Sequence, residues 1–304
     1  MTPNYDIATE SLTKRYGNVA AVDCLNLRVP FGGITGFLGK NGAGKSSTIK
    51  MLLGIVRPTS GTATVLGAPI DRRADSCDAR RHIAYVAEDK EINPDFSVEQ
   101  AVRFTRAFYP DWQADAEHRL MKRYALPQKH KVKALSRGMR TKLALLLALA
   151  RRPRLLILDE PSDGLDPISA EELLQSLSVA AAEGTTVFFS SHRIDEVERI
   201  ADRVCILDEG RLKLDADMDS VRERCRRITV LFRQSIDSSA FAGDDVEHIS
   251  GSGRQFAVTV TRNADALAAR AYALGAVSVD IAPISLRDLF LSLIQTGEGT
   301  EATS

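Results

Sequence analysis

Between a short apolar run, Ile34 to Leu38, and a stretch that reads as a helix from Ser46 to Leu53, the chain carries Gly39-Lys40-Asn41-Gly42-Ala43-Gly44-Lys45-Ser46. No other feature restricts the fold as tightly. The pattern GxxxxGK[ST] works only where a strand delivers the backbone to a glycine-rich turn and a helix carries it away. Glycines there let successive backbone N–H groups converge on phosphate oxygens. A helix opening near Lys45 turns its positive end toward the same anion. Lys45 is placed to reach the outer phosphates and Ser46 to hold Mg²⁺, with Ser47 beside it as a further binding position. A plain glycine-rich turn before a helix is the alternative, and the flanking strand and helix argue against it.

The rest of the chain reads as an alternation of strands and helices, which favours a mostly parallel α/β sheet. Leu25, Leu27 and Val29 share one face of an early strand, closed by a turn at Pro30-Phe31-Gly32-Gly33. Ile83 to Val86 is a further strand. Ser97-Val98-Glu99-Gln100 has the form of a capping box, and helix is expected from there to Ala150. Thr186 to Phe189 is a strand, and Val204 to Leu207 pairs with Arg211 to Leu214 as a hairpin. No lysine follows Lys213. The later pattern is strand (228–232), strand (256–260), helix (264–274), strand (277–281) and helix (286–294), with Gly251-Ser252-Gly253 as a hairpin turn. This divides the chain into residues 1–219, a small α+β domain at 220–296 and a polar tail at 297–304.

A second chemical signal is Leu155-Leu156-Ile157-Leu158-Asp159-Glu160. An apolar strand here delivers two carboxylates to the edge of the sheet where ligands sit in open α/β folds. Side chains alternate along a strand, so the two need not point the same way. Asp159 is the natural member of a metal shell, and Glu160 is then placed to polarise an attacking water.

With these motifs in order, the chain resembles an ABC-type ATPase, the nucleotide-binding subunit of an ATP-binding cassette transporter, over about residues 5 to 215. Leu135-Ser136-Arg137-Gly138-Met139 stands where that family carries its LSGGQ signature. The resemblance implies a phosphate-loop NTPase core with an N-terminal antiparallel β subdomain and a helical subdomain. It implies ATP and Mg²⁺ as cofactors. Tyr16 stands where an aromatic ring stacks on adenine, a task that needs a flat face and little else. Ser162-Asp163-Gly164-Leu165-Asp166 resembles the loop used for contact across a dimer. His192 matches a switch histidine able to hold the γ-phosphate and water in line. The resemblance also implies a head-to-tail dimer with a second copy or a paralogous subunit, in which Ser136 and Gly138 of one chain cap the nucleotide on the other.

Four positions depart from that pattern, one of them Met139, which stands where the signature has Gln. Glu88 stands where the family usually has Gln; it is read as a Mg²⁺ ligand, or as a residue facing a membrane partner. Arg137 replaces a glycine of the signature and either adds a cation near phosphate or faces solvent. Asp163 stands where serine is common.

Composition narrows the partners. Lys plus Arg number 40 and Asp plus Glu number 40, so bulk charge gives no support to nucleic-acid binding. The longest apolar run, Leu143 to Ala150, is far short of the roughly 20 residues that span a bilayer, and the N-terminus lacks a signal-peptide pattern. The four cysteines form no CxxC pair, which favours free thiols. The expectation is therefore the ATP-hydrolysing subunit of a transporter, of the ABC-2 export type. It would sit at the cytoplasmic face of the membrane through a separate permease, touched by residues 91–150 and the loop near Glu88. The competing expectation is a non-transport ABC ATPase acting on ribosomes or nucleic acid. The C-terminal domain is read as a stabilising appendage of the dimer, with a ligand sensor as the alternative.

Overall fold

The computed structural model describes residues 5–70, 79–89, 92–243 and 245–295. The chain forms two compact units, Met1–Asp215 and Ala216–Ser304. The boundary read at residue 219 falls inside a helix of the second unit, Met218–Arg224. The polar tail at 297–304 lies outside the described residues.

The first unit is built on a six-stranded sheet. Its order is β11 (Arg211–Asp217), β10 (Arg203–Asp208), β4 (Ile34–Leu38), β9 (Thr186–Ser191), β8 (Leu155–Leu158) and β7 (Ile83–Val86). The pairs from β10 to β7 are all parallel. Every residue of β4, β8 and β9 is buried. Strands covered on both faces need no polar alternation, which explains why these segments read as continuous apolar runs. Leu38 is in register with Ser191, and Leu158 with Phe189. The loops that leave β4, β8 and β9 are thereby brought to one edge of the sheet.

A five-stranded antiparallel sheet contains β2 (Val19–Leu25), β1 (Tyr5–Tyr16), β5 (Ser60–Val65) and β6 (Ala68–Pro69) in that order, with β3 (Arg28–Pro30) also on β1. Its apolar face and helix α1 (Lys45–Leu52) share a core with the parallel sheet: Ile7, Val22 and Val65 join Ile49 and Met51, then Phe37, Ile157 and Phe188. The single strand expected through Leu25, Leu27 and Val29 is instead two. Thr9 interrupts it, donating its hydroxyl to the carbonyl of Leu25 (2.7 Å) and accepting the N–H of Leu27 (2.8 Å). All three apolar side chains remain buried, so the burial pattern survives the break.

The middle of the chain is helical, with α2 (Val98–Arg106), α3 (Ala114–Arg123) and α4 (Arg137–Leu149). The capping box is present: Ser97 Oγ accepts the N–H of Gln100 and the Gln100 side chain accepts the N–H of Ser97. Helix α5 (Pro167–Ala182) begins with Pro167 just inside an Asp166 cap, and α6 (Ile194–Ile200) follows β9.

In the second unit α7 (Met218–Arg224) leads into a four-stranded sheet of order β13 (Val246–Ser252), β14 (Gln255–Val260), β12 (Arg226–Phe232) and β15 (Ala276–Pro283). All its pairings are antiparallel. Helices α8 (Ala264–Ala273) and α9 (Leu286–Gln295) complete it. Ile228, Val230, Phe241, Phe256, Val258 and Leu267 form a separate core. The hairpin turn expected at 251–253 lies one step later. Gly251 is inside β13, opposite Phe256, and the chain reverses at Gly253-Arg254. Strand β13 escapes sequence reading because none of its residues is fully buried.

One buried carboxylate ties the two sheets of the first unit together. Asp6, fully buried, accepts from Arg154 (2.8 Å) and from the Thr186 hydroxyl (2.6 Å). Removing it leaves the buried Thr186 hydroxyl without its acceptor, which costs about 1–3 kcal/mol. Asp6→Ala is expected to lower stability by that amount in urea unfolding followed by the fluorescence of Trp112, the lone tryptophan.

Candidate functional site

The loop leaving β4 is shaped by its backbone. The Gly39 N–H donates to the carbonyl of Ser191 (3.3 Å), and the Ala43 N–H to that of Lys40 (3.1 Å). Gly44 precedes α1 with φ of 104°, and a Cβ built there would lie 2.2 Å from the carbonyl oxygen of Ala21. Both the turn and the close approach require glycine. No side chain caps α1, and no acidic residue occupies its first turn. Its leading N–H groups therefore face the cleft as donors for an anion.

Asn41, Gly42, Gly44, Lys45, Ser46 and Ser47 line that cleft together with Glu88, Glu160, Asp163 and His192. Gly39, Lys40 and Ala43 serve the loop itself. Lys45 is buried, and its ammonium donates to the carbonyls of Gly39 (2.8 Å) and Lys40 (3.0 Å) while pairing with Glu160 Oε1 at 3.0 Å. The other oxygen of Glu160 faces His192, 2.9 Å from Nδ1 and 3.3 Å from the backbone N–H. Cation, carboxylate and imidazole thus form one connected cluster.

The two neighbouring carboxylates lie just past the end of β8 and diverge there. Asp159 accepts from the Ser190 hydroxyl (2.7 Å), and the same hydroxyl accepts the N–H of Glu160 (2.9 Å). Glu160 has φ of 43°, a left-handed conformation unusual for a side-chain-bearing residue. That turn swings its carboxylate toward Lys45. Burial, reinforced by the negative charges of Asp159, Asp89 and Glu88, pushes the Tyr85 phenol up to about 12. Among the described residues no group of three His, Cys, Asp or Glu side chains is arranged to hold a metal alone. The oxygens of Ser46, Asp159 and Glu88 suit Mg²⁺, which is bound through few carboxylates plus substrate phosphates and water.

Four further expected residues are outside the cleft lining: Asp159, Tyr16, Ser136 and Gly138. Tyr16, half-exposed at the end of β1, is outside the cleft lining, and Ala21 lines it instead. The ammonium of Lys14 lies over the Tyr16 ring, 5.0 Å from its centre. Ser136 caps α4, accepting the Met139 N–H (3.2 Å), and Gly138 backs onto Ser169. Neither lines this chain's cleft. Arg137 is outside the cleft lining: its side chain is half-exposed to solvent and pairs with Asp163.

Sequence reasoning missed Ser190 and Glu196. Glu196, buried on α6, accepts from the hydroxyls of Ser162 (2.6 Å) and Ser191 (3.2 Å) and pairs with Arg193 (2.9 Å). Burial pushes its carboxyl up, and the Ser162 hydroxyl and the Arg193 charge oppose this. Its only sequence signal is a position four residues after His192.

The family model described as "ABC transporter" matches residues 22–163. A Nod factor export ATP-binding protein I from Burkholderia lata is 38% identical over 216 residues, covering 69% of this chain and 70% of that protein. The bacitracin transport ATP-binding protein BcrA of Bacillus licheniformis is 35% identical, covering 73% of this chain and 72% of its own length. Among solved structures, CbiO1 of Clostridium perfringens, described as part of the ABC transporter complex CbiONQ, aligns with a TM-score of 0.63 at 30% identity. That alignment covers 72% of this chain and 90% of that one.

The backbone of Gly44 is where the loop tolerates least. Gly44→Ala forces a strained φ and a collision with Ala21. It is expected to weaken binding of a fluorescent ATP analogue at least about tenfold, since 1–3 kcal/mol of strain is of that order. Equilibrium titration of the two proteins checks it.

Proposed function

Because the chain belongs to the ABC transporter ATP-binding family, in which it is an ATP-hydrolysing subunit, we propose that it powers export through a separate membrane-spanning permease. The named relatives act in export or transport, which favours this reading over action on ribosomes or nucleic acid. The observation that carries the catalytic assignment is the Lys45–Glu160–His192 cluster beneath the open N-terminus of α1.

Phosphate oxygens of ATP are received by the N–H groups at the start of α1 and by Lys45. A polyanion there competes with Glu160 for the Lys45 ammonium. Glu160, released on that side and still held by His192, is placed to accept a proton from, or orient, the attacking water. His192 bridges Glu160 and the outer phosphate when both of its ring nitrogens carry a proton, since carboxylate and phosphate oxygens both accept. Ser46 and Asp159 would hold Mg²⁺, with Glu88 beside them; the ion supplies neutralisation of phosphate charge. Catalysis is then positioning plus electrostatics.

Ser136 and Gly138 lie outside this chain's own cleft, which supports their use on a second subunit in a head-to-tail dimer. Tyr16, exposed near the start of the unit, suits a stacking contact with adenine. The permease contact is assigned to the helical segment, where Phe96, Phe104 and Phe108 stack edge to face and the last two are exposed. No helix among the described residues is long and apolar enough to cross a membrane, so membrane attachment is assigned to that contact.

Glu160→Gln is expected to retain ATP binding and ATP-dependent dimer formation while turnover falls at least about 100-fold, the scale of a lost general base. Phosphate release and light scattering test the two halves, and undiminished hydrolysis overturns the assignment. Glu88→Gln is expected to change the Mg²⁺ concentration that supports half-maximal hydrolysis. An unchanged Mg²⁺ titration removes Glu88 from the metal shell.

A further inference from the structure

A charged pair meets the nucleotide cleft without joining the Lys45 cluster. Arg137, the first residue of α4, donates from Nη2 to Asp163 Oδ2 at 2.9 Å, across 26 residues of sequence. Asp163 lines the cleft, whereas Arg137 does not. The Asp163 N–H donates to the main-chain carbonyl of Glu160 (3.2 Å), so the two residues share one tight backbone turn.

The approach is built into both segments. Gly164 has φ of 64°, and a Cβ there would lie 2.0 Å from Arg137 Nη1. The guanidinium therefore occupies space that only a bare backbone leaves open. On the other side, Gly138 packs against Ser169, whose hydroxyl bonds Asp166 (2.7 Å) at the cap of α5. The start of α4 is thus seated on the same loop-to-helix segment that carries Asp163.

Charge gives the contact its consequence. Glu88, Glu160 and Asp163 all line a cleft that has to receive a polyphosphate. Glu160 is compensated by Lys45 and hydrogen-bonds to His192. Asp163 is compensated by Arg137. Without that cation an anionic carboxylate stands on the rim, close enough to repel phosphate through solvent.

We propose that Arg137 is a positioning residue of the nucleotide site, holding the Asp163 carboxylate on the cleft rim and neutralising it so that the cleft accepts the triphosphate. This rests on the reading of the cleft as an ATP site. It differs from a role for Arg137 as a direct phosphate ligand, whether in its own chain or on a partner, because its action runs through Asp163.

The test is a mutant cycle read by equilibrium binding of a fluorescent ATP analogue in Mg²⁺, for the full chain, Arg137→Ala, Asp163→Ala and the double variant. Circular dichroism confirms that each is folded; the pair is half-exposed, so folding does not depend on it. Arg137→Ala is expected to weaken binding about three- to tenfold at low ionic strength, with the loss shrinking as salt is raised, because screening removes the repulsion. Asp163→Ala is expected to bind at least as tightly as the parent, and the double variant like Asp163→Ala. The exchange of charges, Arg137→Asp with Asp163→Arg, is expected to restore most of the lost affinity.

Equal losses from Arg137→Ala with and without Asp163 would overturn the inference and make Arg137 a direct ligand. A salt-independent loss, or none, would also overturn it. Absence of binding by the parent chain would instead overturn the nucleotide-site reading on which it stands.

Discussion

The first unit is organised around the burial of one ammonium group. Lys45 sits at the start of α1, shielded from water, where an unpaired charge would be costly. It is kept there by the carbonyls of Gly39 and Lys40 and by Glu160. Those partners exist only because β4 and β8 end at the same level on either side of β9, and because the backbone after β8 turns into a left-handed conformation at Glu160. Sheet order, register and one strained residue together place a carboxylate 3.0 Å from the lysine. The same strain aims the second oxygen of Glu160 at His192. Strained backbone of this kind persists where surrounding contacts over-determine it, and here the Ser190 hydroxyl holds the Glu160 N–H in place.

From that centre the polar contacts spread without reaching open water quickly. Ser190 bridges Asp159 and Glu160, while Glu196 gathers Ser162, Ser191 and Arg193 one layer below. The loop after Glu160 and the strand end before His192 are therefore tied to a common buried carboxylate. A shift in either is felt by the other, because buried hydrogen-bonded groups are expensive to leave unmatched. The phosphate-loop residues, Glu160 and His192 are linked as a unit for this reason, although they follow three different strands.

What the sequence revealed follows from the same physics. Strands β7 and β8 are legible to the residue, because parallel strands buried along most or all of their length leave short apolar runs with abrupt polar ends. The phosphate loop was legible because its chemistry demands glycines at fixed spacing, and the Ser97 capping box because it is local. Features that depend on contacts between distant segments were not. Thr9 splitting the strand before Val29, and Glu196 reaching two serines on separate loops, have no local pattern. Strand β13 was hidden because its residues are half-exposed. Tyr16, the ring that the resemblance gives to adenine, stands at the end of β1 paired with Val19 of β2, and that place depends on how the two strands turn.

The two departures at Arg137 and Asp163 show how such a distant contact changes the meaning of a local one. Taken singly, an arginine in place of a signature glycine is a stray cation, and an aspartate beside the catalytic loop is an unwelcome anion. Their side chains meet at 2.9 Å over the bare backbone of Gly164. Each then removes the liability of the other, so the cleft keeps its net attraction for phosphate although it is lined by three carboxylates, Glu88, Glu160 and Asp163. The charge balance of the site is thus set outside the phosphate loop as well as within it. It is settled partly at the first turn of α4, a helix whose own serine cap and glycine turn away from the cleft they resemble parts of.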